Sequence, residues 1–156
     1  AQESRGLGDV YKRQVFRRGD AAFSVVICWE GMYPYLVRRF VREGARFIVN
    51  ISNDMWTKSE AAHEQHFIAV KFRAVENGIW FARAGNDGVT AFVDPRGVVR
   101  ARLPLGEPGF LVGEAGPKAK DTFYTRHGDI LPKLCIAVLA LSLAASAPRI
   151  AARRSV

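Results

Sequence analysis

Cysteine is scarce in this chain. Two cysteines among 156 residues, Cys28 and Cys135, exclude a disulfide scaffold and a four-cysteine metal site. Acidic residues are also few: 15 Asp and Glu stand against 23 Lys and Arg, a formal charge of +8. That balance is compatible with anionic lipid, nucleic acid or plain solubility. No aromatic-basic RNP strand is present, so nucleic acid is not an expected partner. Residues 1–19 contain no apolar run of the kind that marks a secretory signal. Internal repeats and low-complexity tracts are lacking too. What is present is globular in composition, 49% hydrophobic and 24% charged, which excludes wholesale disorder and suits one domain of ordinary size.

The body of the chain alternates strand and helix patterns. FSVVIC, residues 23–28, is a short apolar run rich in β-branched residues, as in a buried strand. Pro34 fits the first turn of a helix over 35–43, with Leu36, Val37, Phe40 and Val41 as its apolar stripe and Gly44 at its end. Residues 46–51 read as the next buried strand, giving a strand–helix–strand unit. Helical spacing returns over 59–77, and 79–84 is a strand again. A turn at 86–88, a hairpin over 89–103 about Asp94-Pro-Arg-Gly97, and a further strand over 110–114 complete the pattern. The class is α/β.

The two ends differ from the body. Residues 4–14 show no helix or strand period, and they can be back-translated into a transposase-based sequencing-library adaptor. The alternative is a polar N-terminal arm. The expectation is a non-native leader over 1–14, with native sequence from about Val15. At the other end, 134–147 carries no charge and Ile130, Leu131 and Pro132 extend it across Lys133, near the lower limit for crossing a bilayer. Arg149, Arg153 and Arg154 follow without an acid, which by the positive-inside tendency puts the C-terminus in the cytoplasm. Hydropathy alone leaves a membrane span and a buried terminal helix both open.

Cys28 is the first candidate for chemistry. It closes a strand and precedes a helix, and a nucleophile at such a turn is held rigidly beside backbone N–H groups that can bind an oxyanion. A helix N-terminus also favours thiolate. Against this, free cysteines are often simply buried. His63 and His66 in HEQH fall one residue short of HExxH and have no evident third ligand, so helix-surface or packing histidines are expected and no metal or other cofactor. Asn50, Asn53, Asp54 and Asn86 are read as satisfying backbone groups at strand ends, and Arg38, Arg39 and Arg42 as a solvated helix face.

Together VVICWE (25–30), NISNDMW (50–56), Gln65-His66, RAVENG (73–78), ARAGNDG (82–88) and YTRHGD (124–129) form a spaced set. The set resembles the second half of a nitrilase-superfamily (carbon–nitrogen hydrolase) domain, and within it the apolipoprotein N-acyltransferases. The resemblance implies the C-terminal half of an αββα sandwich over 15–129, one transmembrane helix over 130–148 and a basic cytoplasmic tail over 149–156. It implies a Glu–Lys–Cys triad in which Cys28 matches the nucleophile, with the Glu and Lys upstream of these residues. Glu30 matches a supporting acid. Trp29 replaces a usual tyrosine, and its backbone N–H is the natural oxyanion donor. The implied reaction takes an acyl chain from a phospholipid as a cysteine thioester and passes it to a diacylglyceryl-lipoprotein, at a bacterial inner membrane with the catalytic domain periplasmic. Two departures stand out: Trp56-Thr57-Lys58 where many members have Trp-Phe-Gly, and no preceding transmembrane bundle. The alternatives are a soluble nitrilase-like amidase using the same cysteine, and a non-enzymatic basic module.

Overall fold

The structure, a computed structural model, describes residues 14–116 and 121–153, with side chains through 145. The adaptor-like leader therefore lies outside the described residues except for Gln14, whose carbonyl accepts the Ser24 hydroxyl at 2.9 Å. The side chains of the basic tail lie outside them as well. The chain divides into two units between Arg126 and His127.

The first unit is built on one six-stranded sheet in sequence order, β1 (Phe16–Arg18), β2 (Ala21–Ile27), β3 (Phe47–Asn53), β4 (Trp80–Asn86), β5 (Ala91–Val93) and β6 (Val99–Arg102). Strands β2, β3 and β4 are parallel, and the outer pairs are antiparallel. Helices α1 (Pro34–Arg42) and α2 (Glu60–Asn77) make the two crossovers. Pro34 occupies the first turn of α1, where its missing N–H costs nothing. Ser59 caps α2 by accepting the Ala62 N–H at 3.4 Å. Gly78 ends that helix in the left-handed conformation at φ 58°, which glycine adopts without a Cβ penalty.

Period-two alternation gives each central strand a fully buried side, and α1 and α2 supply the other half of the core. Val26, Ile48 and Phe81 from the sheet pack with Val37, Phe40 and Val41 of α1 and with Phe67, Val70 and Ala74 of α2. The opposite side of the strands is apolar but only partly covered. Phe16, Phe23 and Phe47 stack across β1, β2 and β3 with centroids 5.3 and 5.1 Å apart, and Ile27 and Ile51 are exposed. This two-sided hydrophobicity explains why the sequence shows continuous apolar runs rather than strict alternation.

Three differences from the sequence-based reading have physical causes. Residues 110–114 form no strand: Pro108, Gly109 and Gly113 interrupt them, and Phe110 and Val112 are exposed. Strand β1 was not expected; it folds back on β2 through Gly19, which sits at φ 55°. The run closing at Cys28 ends as strand at Ile27, and Cys28–Met32 forms a tight 3-10 turn.

Beyond residue 116 come α3 (Phe123–His127), which straddles the division, and α4 (Ile130–Arg153) in the second unit. Leu131, Leu134, Ile136, Val138, Leu139, Leu141 and Leu143 on α4 are all exposed. Among the described residues no helix is long and apolar enough to cross a membrane.

Candidate active site at the carboxyl ends of the parallel strands

Parallel strands present their carboxyl ends on one edge, where loops converge and ligands commonly bind. Here that edge gathers the Cys28 turn after β2, Asp54 after β3, and Arg83 to Asn86 at the end of β4. The register aligns them: Val26 pairs with Asn50 and Asn50 with Arg83 across three strands. All three face α1 and α2 and are buried.

Cys28 is half-buried, and its φ is 50°. A non-glycine residue in the left-handed region is strained by about 1–2 kcal/mol, and such strain persists only where the surroundings over-determine it. Several contacts do so. The Glu30 carboxylate reaches back to accept the Ile27 N–H at 2.7 Å. Asn50 Nδ2 donates to the carbonyls of Val26 and Cys28, 3.1 and 3.3 Å away. Arg73 Nη1 donates to the Met32 carbonyl at 2.7 Å. Gly31 lies so close to Asn50 that a Cβ there would come within 3.2 Å of Nδ2.

Beneath the turn sits a buried polar network. Arg83 donates through Nη1 to Asn50 Oδ1, and through Nη2 to Asp54 Oδ2 at 2.7 Å. The other Asp54 oxygen accepts from the Ser52 hydroxyl at 2.7 Å and lies 3.0 Å from His66 Nδ1. Burial alone would raise the Asp54 pKa, but the Ser52 hydroxyl and then the Arg83 and His66 charges together outweigh it and hold the carboxyl below its usual range. Burial, followed by the Arg83 charge, pushes the His66 imidazole below its ordinary value; Asp54 and the Cys28 backbone oppose this without prevailing. His66 is therefore neutral at neutral pH. Its Nδ1 also lies 3.2 Å from Arg83 Nη2, so this nitrogen faces a carboxylate acceptor and a guanidinium donor together. Burial lowers the Arg83 pKa, while Asp54 and the nearby Cys28 sulfur act to raise it.

The rim of the site is aromatic. Trp29 is exposed and its ring lies 5.9 Å from Trp56 and 5.7 Å from His66, centroid to centroid. Met55, Tyr33 and Tyr35 are exposed nearby in sequence.

The structure thus brings Cys28, Trp29 and Glu30 into one turn. Both HEQH histidines are buried, and His63 Nε2 lies 3.2 Å from the carbonyls of Asp54 and Thr57, while His66 belongs to the network through Asp54. Two readings of polar residues require correction. Asn50 and Asp54 are not simple strand-end caps but buried members of the network under Cys28. Arg38 does not only face solvent; its guanidinium donates to the carbonyls of Tyr124, Thr125 and Arg126 at 2.9, 3.0 and 2.9 Å, tying α1 to α3. Arg83 was not singled out from sequence. Its charge in an otherwise apolar strand, WFARA, was the available signal.

Comparison with known proteins now bears on this geometry. The model of the carbon-nitrogen hydrolase family matches residues 3–118.

The chain belongs to the carbon–nitrogen hydrolase family.

Among its relatives are the apolipoprotein N-acyltransferase of Geobacter metallireducens, 40% identical over 119 residues, and that of Thermotoga maritima, 39% identical over 118. These alignments cover 76% and 74% of this chain but 23% of each relative. The chain thus spans about a quarter of the length of the curated relatives it matches. Among solved structures, a mutant of the amidase from Nesterenkonia sp. AN1, carrying a covalent adduct at its active site cysteine, superposes with a TM-score of 0.60 at 26% identity. It covers 80% of this chain and 47% of that one. Saccharomyces cerevisiae Nit3, at 23% identity and a TM-score of 0.54, shares the fold over 62% of this chain and 38% of its own. For this carbon–nitrogen hydrolase chain, the α/β sheet with its two covering helices is therefore the family's architecture.

Proposed function

We propose that this chain is part of a membrane N-acyltransferase that moves an acyl chain from a phospholipid to the N-terminal amine of a diacylglyceryl-cysteine lipoprotein. The observation that carries the reading is Cys28, half-buried at a left-handed bend on the ligand-binding edge of the sheet, in a chain 40% identical to an apolipoprotein N-acyltransferase over three quarters of its length. The thiolate attacks the phospholipid ester carbonyl, a C–S bond forms, and the C–O bond breaks to release a lysophospholipid that takes up a proton. The lipoprotein amine then attacks the thioester, the C–S bond breaks, and the amine proton passes to a general base. In this reading the Trp29 N–H stabilises the oxyanion of both steps and Glu30 holds the bend. The general base and a lysine lie outside these residues.

Two further observations support it. The sheet's second face is apolar and only partly covered, with Ile27 and Ile51 exposed; a second sheet packed there would complete an αββα sandwich. Helix α4 shows apolar side chains to solvent over 134–143; we read residues 130–148 as a membrane span, although the described part of that helix is not by itself long and apolar enough to cross one. The domain would then be periplasmic, its basic side chains facing anionic headgroups, and the residues after 148 cytoplasmic.

The test is acyl-thioester formation from phospholipid by the full-length protein. The wild type is expected to accumulate it and the Cys28→Ala variant to form none; a variant that still does so ends this reading. The likeness to the Nesterenkonia amidase supports a second reading, hydrolysis of a carbon–nitrogen bond by the same cysteine. It expects amide turnover by the full-length protein and release from membranes by carbonate.

A further inference from the structure

We propose that Asn50 is a positioning residue for the Cys28 thiol, locked in its donating orientation by Arg83. This rests on the reading of Cys28 as the nucleophile. The Asn50 amide bonds the backbone on both sides of the bend, at the Val26 carbonyl before it and the Cys28 carbonyl after it, 3.1 and 3.3 Å away. Those two bonds fix the peptide planes that set the direction of the Cys28 side chain.

The amide cannot turn over. Its Oδ1 accepts from Arg83 Nη1, and a flipped amide would aim two donors at each other. Arg83 is held in turn by Asp54, and Asp54 by Ser52 and His66. Four side chains, from β3, the loop after it, α2 and β4, thus converge on the orientation of one amide. A guanidinium on the oxygen also polarises the amide and strengthens the N–H groups that grip the bend. Gly31 leaves room for this contact, since a Cβ at that position would come within 3.2 Å of Nδ2. The same arrangement keeps the sulfur within electrostatic reach of the Arg83 charge.

The test uses full-length protein in a background where Cys28 is the sole cysteine, with the exposed Cys135 replaced by serine. The rate of iodoacetamide alkylation is followed at fixed pH, and thioester formation gives kcat and KM. Asn50→Leu removes both donors without adding charge. Its rate of alkylation at fixed pH is expected to change about fivefold or more as the bend relaxes and the sulfur loses its fixed direction. Its kcat is expected to fall about tenfold or more while KM stays within about twofold. A variant that melts earlier but keeps the wild-type alkylation rate and kcat would overturn the proposal. Should Asn50→Leu fail to fold, Arg83→Lys keeps the cation and loses the fork that serves Asn50 and Asp54 together. It is expected to shift both readouts in the same direction, and unchanged readouts would again overturn the proposal. Alkylation needs no acyl donor, so it decides the role of Asn50 even if phospholipid proves not to be the substrate.

Discussion

Arg83 and Asp54 form an ion pair at 2.7 Å with side chains 0% and 1% exposed, directly below the bend that carries Cys28. Two charges so fully withdrawn from water depend on each other. Asp54→Asn leaves the guanidinium without its counter-charge and is expected to destabilise the domain by about 3–5 kcal/mol. Urea unfolding followed by tryptophan fluorescence measures it.

The same network sets the response to acid. His66 has a folded-state pKa below its ordinary 6.5, because burial and Arg83 disfavour its charged form. Below that pH the unfolded chain takes up a proton that the folded protein refuses, so stability is full above 6.5 and is lost as pH falls. Asp54 and Asp94, both held below 3.8, add a second loss below that value. Melting temperature measured from pH 8 to pH 3 should fall in two stages, and His66→Gln should flatten the first.

Backbone strain at Cys28 predicts an inverted order of substitutions. Glycine is ordinarily less stable than alanine by about 0.5–1 kcal/mol. At φ 50°, Cys28→Gly should instead exceed Cys28→Ala in stability by about 1 kcal/mol. Paired denaturation curves in the full-length protein show the order.

Gly88 is expected to tolerate no side chain. A Cβ there would lie 2.2 Å from Asp54 Oδ2, pushing the carboxylate off Arg83. Gly88→Ala should cost about 1–3 kcal/mol and lower the acyl-thioester yield, read by thermal melting and by labelled phospholipid.

The hairpin gives a prediction away from the site. Asp94 Oδ1 accepts the N–H groups of Arg96 and Val98 at 2.8 and 3.0 Å, and Oδ2 accepts from Arg100 Nε at 2.8 Å. Asp94→Ala should lower stability by about 1–3 kcal/mol with little change in Cys28 alkylation, as a control that separates folding from chemistry.

Much of this was legible from residue patterns because the signals were local. Pro34 and Gly44 mark helix ends by backbone chemistry, and the parallel strands declare themselves as β-branched runs. The Cys28 turn was legible as a place, since strand, cysteine and helix follow in eight residues. Its conformation was not, because a left-handed cysteine is imposed in part by Asn50 and Arg73, which come from elsewhere in the chain. The network was missed for the same reason. Asn50, Asp54 and Arg83 each look ordinary alone, and only strand register places them in contact. Residues 110–114 misled because Phe110, Leu111 and Val112 carry a strand's composition without a partner strand to pair with.

The lateral row Val26–Asn50–Arg83 has a consequence for how the molecule is assembled. If β4 paired with β3 one residue out of step, Ala82 or Ala84 would replace Arg83 on the helix-covered side, and the guanidinium would turn to the hydrophobic side. Asp54 would then be a stranded anion with nothing to neutralise it. Mispaired copies are thereby marked as unstable before any substrate arrives, so quality control and reactivity are read from the same three positions.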